Sequence, residues 1–284
     1  MIAGMPSANA FGGPDSLPAF DPHSGRPLLQ QEQPLPLSTL VRWHAQRRPG
    51  AAALVQGEAV WSWVALDRFM DRVALSLQRD GLQVGDTVAL CAATTPLQAA
   101  LLLGALRAGA VVVPLAPSTD PAGFAAMLAD AQARWLFVDA SAPALAPAAQ
   151  AGAVISLDAE APGRALQQWL VEDTGTVPDA VPYAAEAPFN IIYSSGTTGT
   201  PKGIVQSCGM RWMHMLRGIP QGYGPDTVTL LATPLYSNTT LVCLFPSLAF
   251  GGTVVLMAKF DAGTFLQLAQ QHGVTHTMLV PVQY

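Results

Sequence analysis

Between positions 62 and 81 apolar residues recur at intervals of three and four, at Leu66, Phe69, Met70, Val73, Ala74 and Leu77. That period predicts an amphipathic helix with one face against a core. Ser62 stands where an N-cap belongs, and Gly81 where the helix must stop. A turn at Val84-Gly85-Asp86 leads into the apolar run 87–91. Thr95 and Pro96 then open a second helix that ends at Gly109, and 110–114 reads as another buried strand. Strand, helix, strand is a βαβ unit, and it repeats. Asp120 and Pro121 open a helix toward Ala131, 135–138 reads as a strand, and 154–157 follows across an Ala/Pro-rich connector. The alternation predicts an α/β fold with largely parallel sheets and helices on both faces.

Residues 172–188 are rich in Pro, Asp, Gly and Ala and carry neither period, so they read as a linker between two lobes. The expected division is a flexible leader over 1–36, a first βα lobe over 37–171, the linker, and a second lobe over 189–284. The second lobe opens with the apolar strand 189–193. Further strands are expected at 228–232, 253–257 and 274–280, with a helix capped by Asp261 and stopped at His272-Gly273.

Half of the residues are hydrophobic and 12% are charged, which excludes disorder as the global state. Fourteen Lys and Arg stand against 19 Asp and Glu, and beyond Arg47 and Arg48 the basic residues do not cluster, so a nucleic-acid partner is not expected. Cys91, Cys208 and Cys243 are too few and too scattered for a disulfide framework or a zinc site, which fits a reduced, cytoplasmic setting. The stretch 227–258 has no charge and is long enough to span a bilayer. Pro234, the polar run 237–240, Pro246 and Gly251-Gly252 cut it into pieces that suit strand, loop, helix and strand, so no membrane insertion is expected.

The chemistry concentrates at Ser194-Ser195-Gly196-Thr197-Thr198-Gly199-Thr200-Pro201-Lys202-Gly203, directly after a strand. Glycines let backbone amides turn toward one anion, the hydroxyls add donors, and Lys202 supplies positive charge. A phosphate cradle needs these groups. The segment is not a Walker A loop, because Pro201 replaces the glycine before the lysine and Gly203 the hydroxyl residue after it, and no G-x-G-x-x-G is present. The bland alternative is a Gly/Thr-rich surface turn.

At these residues the chain resembles the adenylate-forming enzymes: acyl-CoA and aryl-CoA synthetases, luciferases and peptide-synthetase adenylation domains. Segments in the family's order extend the resemblance over 37–284: Arg47-Arg48-Pro49 before a strand, 81–88, 107–115, and Thr233-Pro234-Leu235-Tyr236. It implies the large N-terminal domain of an acid–thiol ligase that uses ATP, Mg2+ and coenzyme A to activate a fatty or aromatic carboxylic acid. Ser194, Ser195, Gly196, Thr197, Thr198, Gly199, Thr200 and Lys202 would hold phosphate, and Tyr236 and Ser237 would line the acid site. Two departures accompany it. Ser237 stands where many CoA synthetases carry histidine. Nothing in the chain resembles the family's Tyr-Gly-x-Thr-Glu segment, its ribose-binding aspartate or its catalytic lysine, so no catalytic residue is assigned and the chain reads as an N-terminal portion, inactive alone. The other reading is a non-catalytic nucleotide-binding half acting with a partner.

Several residues have plainer explanations. Tyr236 also reads as a core aromatic with a tethered hydroxyl, and His214 as a half-buried structural histidine. Met210, Met213 and Met215 read as core filler ahead of an acyl-pocket lining. His272 suits a helix C-terminus, and the cysteines read as small buried hydrophobes.

Overall fold

The structure, a computed structural model, describes residues 34–142, 153–194 and 202–283. Helix α1 (Leu37–Arg47) leads into the hairpin of β1 (Ala52–Gln56) and β2 (Ala59–Ser62), then α2 (Trp63–Arg79), β3 (Thr87–Cys91), α3 (Pro96–Arg107) and β4 (Val111–Pro114). Next come α4 (Pro121–Asp130), β5 (Trp135–Val138), β6 (Ala153–Ser156), the two-residue β7 (Arg164–Ala165) and α5 (Leu166–Trp169). The remainder holds β8 (Pro188–Ser194), β9 (Lys202–Ser207), α6 (Cys208–Leu216), β10 (Val228–Leu231), α7 (Asn238–Ala249), β11 (Thr253–Leu256), α8 (Ala262–His272) and β12 (His276–Thr277).

The helix starts fall where the cap residues place them. Ser62 accepts from the Ala65 amide, Thr95 from Gln98, Asp120 from Ala122 and Gly123, and Asp261 from Thr264. Each satisfies amides that a first helical turn leaves unpaired. Gly273, at φ 59°, ends α8 in the left-handed conformation that a glycine adopts freely.

Two sheets form, in the orders β12-β10-β11-β1-β2 and β7-β6-β5-β3-β4-β8-β9, parallel throughout except for the β1–β2 and β8–β9 pairs. Alternation along each strand divides the core into three. Val88, Leu90, Val112 and Phe137 of the larger sheet and Leu54, Leu231, Val254 and Leu256 of the smaller face a shared middle layer built on α1, α2, α3, α6 and α7. Ala89, Cys91, Val113 and Leu136 face α4 on the outside, and Val55, Leu230 and Val255 face α8. The α/β fold with largely parallel sheets is as the alternation predicts, in five layers.

The sheets cross the expected division into 37–171 and 189–284. Strands β1 and β2 join the sheet of β10, β11 and β12, and β8 with β9 extends the sheet of β3 and β4. Parallel strands pair across long crossovers, and hydropathy does not encode which distant strand is the neighbour. The stretch 172–188 carries no helix before β8 begins at Pro188, and the Gln78 side chain brackets it, accepting from the Asp179 amide and donating to its carbonyl, both at 3.1 Å.

Two expectations are corrected locally. The strand foreseen over 274–280 shrinks to His276–Thr277, paired with β10 alone at the sheet edge before the turn at Pro281–Gln283. Of the three methionines, Met215 is core, whereas Met210 and Met213 are exposed, because α6 buries only the face of Cys208, Arg211, Trp212 and Met215. The uncharged stretch 227–258 becomes β10, a turn, α7 and β11, and no helix among the described residues is long and apolar enough to cross a membrane.

Candidate functional site

Strand β8 ends at Ser194, at the edge where the parallel strands end, the place where α/β sheets bind ligands, and the segment singled out as a phosphate cradle follows it in sequence. Its last residue, Ser194, is paired with Lys202, the first of β9, so the segment leaves and rejoins the sheet at one rung. Ser195, Gly196, Thr197, Thr198, Gly199 and Thr200 lie outside the described residues. Lys202 is exposed, and no carboxylate pairs with it among the described residues.

The two faces of this hairpin differ. On the outer face Tyr193 packs toward α4, its hydroxyl donating to Asp130 Oδ2 at 2.5 Å and Met127 O at 3.1 Å. Burial and the Asp130 carboxylate raise the Tyr193 pKa above the ordinary phenol value, so it stays a donor. Its ring lies across Gly203, where a Cβ would come within 3.2 Å of Cε1. The ladder places Ser194 and Lys202, Ile192 and Ile204, and Asn190 and Gln206 together on the inner face.

That inner face leads to the second segment. Gln206 Nε2 donates to Asn238 Oδ1 at 3.2 Å, and Asn238 opens α7 directly after Tyr236 and Ser237. Four residues of strand separate Gln206 from Lys202, about 13 Å. The turn before α7 is fixed from both sides: Thr240 Oγ1 donates to Pro234 O at 2.6 Å, and the Leu235 amide donates to Thr94 Oγ1 at 3.2 Å. Thr94 O in turn accepts from Gln56 Nε2 at 2.9 Å, tying the turn to the ends of β1 and β3. Ser237 occupies the N-cap position without a side-chain cap bond, which leaves its hydroxyl uncommitted to the helix, and Tyr236 is half-buried beside it.

Sequence reasoning singled out Tyr236 and Ser237 but missed Gln206 and Asn238, which join them to the phosphate hairpin, and Thr94, which holds their turn. Only a polar residue at position 190 in an otherwise apolar strand hinted at the buried polar layer behind the hairpin. His214 lies half-buried on α6, its pKa lowered by burial and then by Arg211 and Arg217, which suits a structural residue. All three cysteines are buried and their thiol pKa values raised chiefly by burial, that of Cys91 to about 12, so none is poised as a nucleophile. No group of His, Cys, Asp or Glu among the described residues is arranged to hold a metal ion.

Known proteins match this chain in sequence and in fold. The AMP-binding enzyme family matches residues 41–284. An indoleacetate–CoA ligase of Aromatoleum aromaticum is 31% identical over 261 residues, covering 87% of this chain and 50% of that protein. A feruloyl-CoA synthase of an Amycolatopsis species is 30% identical over 248 residues, covering 84% and 48%. Among solved structures, apo MbtA of Mycobacterium smegmatis superposes with a TM-score of 0.80 at 27% identity, over 88% of this chain and 49% of that one. The fold and the match together define an adenylate-forming domain, and the chain belongs to the AMP-binding enzyme family. It spans about half the length of the curated relatives it matches.

Proposed function

We propose that the protein is an ATP-dependent ligase that activates a carboxylic acid, fatty or aromatic, as an acyl-adenylate and passes the acyl group to the thiol of coenzyme A. Ser194, Ser195, Gly196, Thr197, Thr198, Gly199, Thr200 and Lys202 hold the triphosphate in this reading, and Tyr236 and Ser237 face the acid. The observation that carries it is the shared inner face of β8 and β9. It presents Ser194 and Lys202 at one end and reaches the 236–238 turn through Gln206 at the other, so one extended ligand meets both segments.

The chemistry fits such a face. A carboxylate oxygen attacks the α-phosphorus and pyrophosphate leaves, converting a poor acylating agent into a mixed anhydride that a thiol then opens. Negative charge grows on the departing pyrophosphate, where the hydroxyls and amides of 194–200 and the Lys202 ammonium act as fixed donors. On the acid side, the Ser237 hydroxyl and the Tyr236 ring offer one polar and one aromatic contact. Magnesium would screen the phosphate charge, but the described residues supply no ligand set for it, and none is assigned here.

Acid-dependent exchange of pyrophosphate into ATP, measured with the full-length protein over a panel of fatty and aromatic acids, tests the reading. Exchange that needs one class of acid supports it, and ATP turnover indifferent to every acid sinks it. The 284 residues alone are expected to show no exchange, because they contain nothing resembling the family's catalytic lysine, ribose aspartate or Tyr-Gly-x-Thr-Glu segment.

A further inference from the structure

Among the described residues two arginines are buried, and they are held differently. Arg107 donates to two carboxylates, Asp67 Oδ1 at 2.6 Å and Asp71 Oδ1 at 2.8 Å, and to the carbonyls of Asp67 and Ser38. Arg211, on α6, is 0% exposed and pairs with no carboxylate among the described residues. Its Nε donates to Asn190 Oδ1 at 2.8 Å, and its guanidinium carbon stands 5.3 Å from the centre of the Phe245 ring. Nη1, Nη2 and the Asn190 Nδ2 find no hydrogen-bond acceptor among the described residues. Burial alone draws the Arg211 pKa down to about 10.

A charge held this way is a poor stabiliser, since apolar side chains of similar volume commonly replace buried ionic groups without loss of stability. Its partner marks a particular place. Asn190, also 0% exposed, is the registered residue through which β8 pairs with β4, opposite Val112, and it faces Gln206 across the β8–β9 ladder. The hairpin therefore hangs from the sheet at Asn190. Helix α6 starts directly after β9, so the Arg211 bond closes a loop from 190 to 211 that contains the whole phosphate segment. From the same rung Gln206 reaches Asn238, beside the acid-side turn.

We propose that Arg211 is a positioning residue, which clamps the β8–β9 hairpin at Asn190 and so fixes Ser194 and Lys202 relative to residues 236–238. This rests on the phosphate reading of 194–202. A guanidinium serves where an apolar chain would not, because a directed donor holds one orientation of the Asn190 amide, whereas apolar packing tolerates sliding.

The test compares Arg211→Met, Arg211→Lys and Asn190→Asp in the chain by thermal unfolding, amide hydrogen exchange and calorimetric titration with ATP. Arg211→Met is expected to lower the melting temperature only slightly, by the cost of one unpaired Asn190 Oδ1. Its amides at 191–193 and 203–205 should nevertheless exchange at least tenfold faster and its ATP affinity fall about tenfold. Arg211→Lys should recover part of both, and Asn190→Asp, which keeps an acceptor for Arg211, should match the unaltered chain. The clamp is overturned if Arg211→Met leaves exchange at the hairpin unchanged, if it melts well below the unaltered chain with faster exchange everywhere, or if Asn190→Asp loosens the hairpin as much. Should the unaltered chain bind no ATP, the amide exchange pattern alone decides the clamp, and the phosphate reading is decided separately by the acid-dependent pyrophosphate exchange assay above.

Discussion

Single residues carry two kinds of work here, ligand chemistry and the locking of close approaches. Lys202, exposed and without a carboxylate partner among the described residues, is the residue proposed above as a point charge on phosphate. Its loss removes a charge-assisted contact of about 1.5–3 kcal/mol. If the proposed ligase activity holds, Lys202→Ala in the full-length protein should slow adenylation by about tenfold to a hundredfold. Transfer from preformed acyl-adenylate should stay within about twofold, because pyrophosphate has already left. Equal losses in the two half-reactions would remove Lys202 from the phosphate site. His44 shows the locking kind. It is fully buried, with Nε2 donating to the Ala249 carbonyl at 2.9 Å. Burial lowers its pKa to about 4 against the favourable Ala249 bond, with Arg48 and Arg47 lowering it further. In the unfolded chain the imidazole titrates near 6.5, so protons bind the unfolded state first. The contribution is whole above that pH and is lost as pH falls from about 6.5 to 4, on the order of 2–3 kcal/mol. Urea midpoints for His44→Gln should lack the step that the unaltered chain shows between pH 7 and pH 4.5; parallel profiles would refute the assignment. His44 and Arg48 also leave no room at Gly251, where φ is 83° and a Cβ would lie 2.6 Å from each. Gly251→Ala should therefore cost about 2–3 kcal/mol, read as a lower urea midpoint at unchanged slope.

At the scale of elements, the middle layer depends on how closely α2 and α3 approach. Gly104 allows it, since a Cβ there would lie 2.6 Å from Val73 Cβ, across the interface. Arg107 then binds α3 to α2 through Asp67 and Asp71, and Arg42 of α1 pairs with the same two carboxylates. Unlike Arg211, this buried cation is matched, and removing it leaves two largely buried carboxylates with Arg42 as their remaining cation. Arg107→Leu should cost about 3–5 kcal/mol, and Asp67→Asn with an intact Arg107 less. Denaturation midpoints that rank the two in the opposite order would show that the helices, not the charges, hold the layer. Four helices were legible in the sequence where a side chain caps them locally, at Ser62, Thr95, Asp120 and Asp261, whereas α6 was not, although Ser207 caps it. Helix α1 starts after Pro36 with no side-chain cap bond, and neither it nor the antiparallel β9 gave a pattern that local reading picked out.

Over the whole molecule, apolar surface collects at the free edges of both sheets. On β9, Ile204 and Val205 are 49% and 57% exposed, and beside the smaller sheet Leu266 and Met278 are 68% and 40% exposed. Exposed strand edges of this kind pair with other chains. The 284-residue polypeptide should therefore self-associate at micromolar concentration in sizing chromatography, and Val205→Lys should shift it toward the monomer. A sharp monomer peak that the variant leaves unchanged would contradict this. The sequence alone determined the α/β class, the chain positions of most strands and helices, and the donor-rich segment 194–203 on which the phosphate proposal rests. All of these are written in local periods, caps and a contiguous run of donors. It also sufficed to break the uncharged stretch 227–258 into strand, turn, helix and strand, because prolines and paired glycines act on the backbone where they stand. Only the tertiary structure decided that β1 belongs with β11 rather than β3, that Gln206 meets Asn238, and that Arg211 returns to Asn190. Each of those is a choice of partner across tens to hundreds of residues, made by shape and pairing in the packed state, and no local pattern of hydrophobic and polar positions encodes it.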